Sequence, residues 1–127
     1  MQKQLIVLQA LPSTDKQPAV ASLKQRFGKR AKVFLQSAPD LSLASPFSEM
    51  WHELKLLMDS TRQSVAIWNH SWIDINFDEI YLYNRTVDAD GYAELLHKLY
   101  DLVTDDKLKV TIVCVQQKQA IAHVPVR

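Results

Sequence analysis

The stretch that most constrains the fold is Leu5-Ile6-Val7-Leu8, four apolar residues in unbroken sequence near the N-terminus. A half-solvated strand would alternate apolar and polar residues. A continuous run with no alternation, bounded by polar residues, reads as a strand buried on both faces, as in a parallel sheet. Such a sheet needs helices on each side and crossovers between its strands.

The rest of the chain supplies both. After a loop carrying Pro12, Ser13, Thr14 and Asp15, Pro18 suits the first turn of a helix, where its missing N–H costs nothing. Ala19, Val20, Leu23 and Phe27 form its apolar stripe, and Gly28 is a natural C-terminal stop. Lys24, Arg26, Lys29 and Arg30 read as its solvated end. Lys32 to Gln36 reads as a second strand, and residues 37–44 as a loop.

Ser45-Pro46 opens the clearest helix, with Phe47, Met50, Trp51, Leu54, Leu57 and Met58 along one side. Ser64 to Trp68 is a third strand and Glu79 to Tyr83 a fourth. Asp88 or Asp90 caps a helix with a face of Tyr92, Leu95, Leu96, Leu99 and Val103. Lys109 to Val115 is a fifth strand, in which Cys114 is expected as an inert core residue. Residues 116–127 are expected as a loosely packed tail. The expected fold is α/β, a three-layer α/β/α arrangement with a five-stranded parallel sheet, built as one domain over residues 1–127.

Composition narrows the function classes. Fifteen basic against fourteen acidic residues leave a net charge of +1, so no charge excess points to nucleic acid or an anionic membrane. One cysteine among 127 residues cannot form an internal disulfide, which suits a reducing cytoplasm. The N-terminal apolar run is too short for a signal peptide, and no segment approaches membrane-spanning length. The four histidines lack metal-ligand spacing, so no metal site is expected. Asp88-Ala89-Asp90-Gly91 lacks the later ligands of a calcium loop and reads as a helix cap. In a parallel sheet, ligands sit at the carboxyl ends of strands where strand order reverses; the segment from Ala10 to Lys16 is the leading candidate.

At that segment the chain resembles P-loop nucleoside and nucleotide kinases, the thymidylate-kinase-like group in particular. Their frame is a strand, then G-x-x-x-x-G-K-S/T, then a helix. Residues Ala10 to Gln17 fall on it, and Lys16 matches the motif lysine. Ala10 and Asp15 replace both glycines, and Gln17 replaces the metal-binding hydroxyl. A second likeness is Asn69-His70-Ser71-Trp72, where the group carries an Asp-Arg pair. The resemblance implies a P-loop-kinase-like core with strand order 2-3-1-4-5. It also implies that Lys16, Ser13, Thr14, Asn69, His70 and Arg85 would face any nucleotide or anion.

The departures are physically severe. A phosphate loop works by close approach of backbone N–H groups, which glycine allows. Asp15 sets a carboxylate where a polyphosphate would lie, and like charges about 4 Å apart repel by roughly 1 kcal/mol even in water. Asn69 and His70 lack the carboxylate and fixed cation of the pair they replace. The segments for the acceptor site and an arginine-rich lid are largely absent. The bland readings are a surface lysine at 16 and a strand-end turn at 69–72 with Trp72 packed on the core.

The expected function is therefore a catalytically degenerate relative of nucleotide kinases, with no catalytic residue and no cofactor. It would act by binding another protein in a regulatory or inhibitory role, as a compact phage-encoded protein would. Trp51, Trp72, Tyr81 and Tyr83 are the candidate interface residues, and a homodimer is one form the contact could take. The alternatives are a small atypical kinase that transfers phosphate from ATP with magnesium, using Lys16 and Arg85, and a non-catalytic nucleotide sensor.

Overall fold

A computed structural model describes residues 2–11, 14–34, 46–69 and 89–116. Four strands, β1 (Lys3–Ala10), β2 (Ala31–Phe34), β3 (Val65–Trp68) and β4 (Leu108–Val115), alternate with three helices, α1 (Gln17–Phe27), α2 (Pro46–Asp59) and α3 (Ala89–Thr104). A 3-10 turn, Gly28–Arg30, joins α1 to β2. The strands form one sheet in the order β2-β3-β1-β4, and every pairing is parallel.

The apolar run of β1 behaves as its composition requires. Leu5, Val7 and Leu8 are fully buried and Ile6 nearly so. Alternate residues serve opposite faces. Leu5 and Val7 pack with Ala66 and Trp68 of β3 against Phe47, Met50, Leu54 and Leu57 of α2 and Leu95 and Leu99 of α3. Ile6 and Leu8 pack with Val65 and Ile67 against Val20, Ala19, Leu23 and Phe27 around α1. These are two cores separated by a sheet, with α1 on one side and α2 and α3 on the other. Each fully buried aliphatic side chain contributes about 1.5–3 kcal/mol to this arrangement.

The expected sheet is corrected in two respects. Among the described residues it has four strands rather than five. The order 2-3-1-4-5 also fails, because β1 pairs directly with residues 108–115, the strand expected fifth. That pairing runs from Lys3↔Leu108 to Ala10↔Val115 and fills the whole edge of β1, so no strand can stand between them. Residues 79–83, expected as the fourth strand, lie outside the described residues.

Two burial expectations also change. Val103 is 45% exposed, and Leu102 packs in its place where the last turn of α3 meets the core. Cys114 is exposed rather than buried. It lies on the α2/α3 face beyond Val110, and its neighbour Ile112 on that face is 50% exposed. Among the described residues β4 is an edge strand, so its apolar sequence does not guarantee burial.

Candidate functional site

The strand order fixes where a ligand site would form. The chain leaves β1 through α1 on one face and returns to β2 beyond β3. It leaves β3 towards α3, on the opposite face, before reaching β4 on the other side of β1. The crevice between the carboxyl ends of β1 and β3 is thus the switch point of this sheet.

Lys16 occupies it. Its Nζ donates to the backbone carbonyl of Asn69 at 2.6 Å and to that of Leu8 at 3.2 Å. The ammonium therefore ties the end of β1 to the residue that follows β3, across 53 positions of sequence. Two of its three donors are taken by main-chain oxygens. Asn69 is itself buried.

The start of α1 carries the second feature. Lys16 is the N-cap residue by backbone position, but its side chain does not cap the helix. Asp15 does so instead: its Oδ1 accepts the Gln17 N–H at 3.0 Å. A helix N-terminus leaves N–H groups without partners and carries a partial positive charge, which favours an anion. Here the anion is the chain's own carboxylate. Pro18 removes a further donor in the same turn. Thr14 N–H bonds the Leu11 carbonyl at 3.1 Å, just ahead of the helix.

Of the residues singled out from sequence, Lys16 and Asn69 come together, with Thr14 two residues before Lys16. Ser13, His70 and Arg85 lie outside the described residues, as do Trp72, Tyr81 and Tyr83. Trp51 is half-buried against the α2/α3 core, with the Lys98 ammonium 4.3 Å and the Lys55 ammonium 5.8 Å from its ring centroid. Lys98 also bonds Glu94 at 2.8 Å. Among the described residues no three histidine, cysteine or acidic side chains converge as metal ligands. No described helix is long and apolar enough to cross a membrane.

Side-chain reasoning missed the acceptors that hold Lys16, because both are main-chain carbonyls. The Asp15 cap carries a local signal, an acidic residue just ahead of a helix start. Compared with known family models, characterised proteins and solved structures, the chain matches none.

Proposed function

We propose that this chain is a non-catalytic, nucleotide-kinase-like scaffold that acts by binding another protein in a regulatory or inhibitory role. The observation that carries the reading is that the chain's own groups already engage the switch point. The lysine that would meet a phosphate is bonded to two strand-end carbonyls. The helix start that would meet a phosphate is capped by Asp15. Phosphoryl transfer depends on positioned cations and open backbone donors around the transferred group. An incoming triphosphate would compete with a carboxylate and two hydrogen bonds already in place. The same groups serve well as a rigid closure of the sheet, which a binding scaffold needs.

Titration calorimetry with ATP, dATP and dTMP, each with and without magnesium, tests the reading, coupled to a phosphate-transfer assay. Amide NMR shifts locate any contact. No nucleotide is expected to bind at the switch point in the micromolar range and no transfer to occur. Micromolar binding there with turnover would instead establish the small-kinase alternative. Binding there without turnover would establish the nucleotide sensor.

A further inference from the structure

The opposite, amino-terminal end of the sheet holds a cleft of about 780 Å³ lined by Lys29, Arg30, Ser60, Arg62 and Gln63. That is within the size range of small-ligand pockets. Three of the five lining residues are cations and none is acidic. No ion pair engages Lys29, Arg30 or Arg62 among the described residues.

The walls come from separate parts of the chain and are held firmly. Lys29 and Arg30 belong to the 3-10 turn that leads into β2. Ser60, Arg62 and Gln63 form the connection from α2 to β3. The Ser64 N–H bonds the Arg30 carbonyl at 2.9 Å, fastening one wall to the other. Ser60 Oγ accepts from the backbone N–H groups of Arg62 at 3.2 Å and Gln63 at 2.9 Å. Lys3 Nζ donates to the carbonyls of Ser60 and Gln63, each at 2.6 Å, so a further cation braces the turn. The Arg30 guanidinium stands 5.6 Å from the Phe27 ring centroid, which limits its freedom.

A solvated helix end accounts for Lys24 and Arg26, in the last turn of α1. It does not account for Arg62, which arrives from a different connection and completes the set. Three cations lining one concave surface, with no acidic residue among the lining, favour an anion there. Arginine suits phosphate oxygens through its planar fork of donors.

We propose that this cleft binds a compact polyphosphate, either inorganic or the phosphate tail of a nucleotide. The site is concave and short rather than an extended stripe, and the whole chain carries a charge of only +1. Both features favour a compact anion over a nucleic-acid strand. This site is at the other end of the sheet from Lys16 and does not depend on the reading of the switch point.

Calorimetry with inorganic triphosphate at low and high sodium chloride tests the assignment. ATP and a short single-stranded oligonucleotide serve as comparison ligands, and amide NMR shifts map the site. Wild-type protein is expected to bind triphosphate, more weakly as salt rises. Arg62→Gln and Arg30→Gln should each weaken binding about tenfold. Lys109→Gln, which removes the same charge from an exposed position on β4, should leave it unchanged, and shifts should centre on residues 29–30 and 60–63. ATP matching triphosphate would identify a nucleotide tail as an acceptable source, whereas triphosphate alone would identify the inorganic anion. Circular dichroism establishes that each variant is folded. The assignment fails if triphosphate does not bind at low salt, or if Lys109→Gln weakens it as much as Arg62→Gln. It fails equally if Lys16→Met abolishes binding while Arg62→Gln retains it, or if the oligonucleotide binds more tightly than triphosphate.

Discussion

Lys16 shows how one residue can change meaning between sequence and structure. In sequence it matches a phosphate-binding lysine; in space its ammonium joins the main chain of Leu8 to that of Asn69. A charge-assisted hydrogen bond contributes about 1.5–3 kcal/mol. Lys16→Met, which keeps the length of the side chain and removes the charge, should therefore lower stability by about 1–3 kcal/mol. Urea unfolding followed by circular dichroism reads this directly, and an unchanged midpoint would place Lys16 outside the framework. Glu53 presents a similar case on the α2 side. It is buried, and its carboxylate lies 2.9 Å from the half-exposed Lys32 ammonium on β2. The helical stripe of α2 gave no sign of it, because the partner comes from a strand distant in sequence.

At the scale of elements, two connections depend on backbone conformations that side chains resist. Gly28 adopts φ +60°, ψ −135°, a region that residues with a Cβ avoid. The space around it is open, so strain rather than collision sets the effect of substitution. Gly28→Ala should destabilise the protein by about 1–3 kcal/mol, measured by denaturant titration. After α3, Asp106 has φ 61°. Its N–H bonds the Val103 carbonyl at 3.1 Å while the Lys107 N–H bonds that of Leu102 at 2.9 Å. This is a Schellman closure, in which the left-handed position is usually glycine. Asp106→Gly removes the strain but also the exposed bond from Gln2 to the Asp106 carboxylate, 3.0 Å long. Relief of backbone strain outweighs the loss of one solvent-exposed bond, so a gain of up to about 1 kcal/mol is expected, visible as a melting temperature a few degrees higher. A lower melting temperature would mean that the Gln2 contact contributes more than the strain costs.

For the whole molecule, the sheet predicts a gradient of local stability. β1 bonds β3 on one side and β4 on the other, and β3 lies between β1 and β2. Native-state hydrogen exchange should find the amides of Leu5 to Leu8 and Val65 to Trp68 opening only on global unfolding, while the outer amides of β4 exchange sooner. Uniform protection across the sheet would contradict this. Much of the architecture was legible beforehand. The run Leu5 to Leu8 determined a doubly covered strand, because no polar residue was present to face water. The helical stripes, Pro18 and Gly28 determined α1 closely, and Phe47 to Met58 determined α2, because periodicity and backbone restriction act between near neighbours. Strand order was not determined, since Lys109 to Val115 carries no mark of which edge it will pair with. That choice belonged to the tertiary fold, and with it the neighbours of Lys16 and the meeting of Lys29, Arg30 and Arg62. Asn69 stands 53 positions from Lys16, and Arg62 comes from a different connection than Lys29 and Arg30, so only the sheet brings each set to one place.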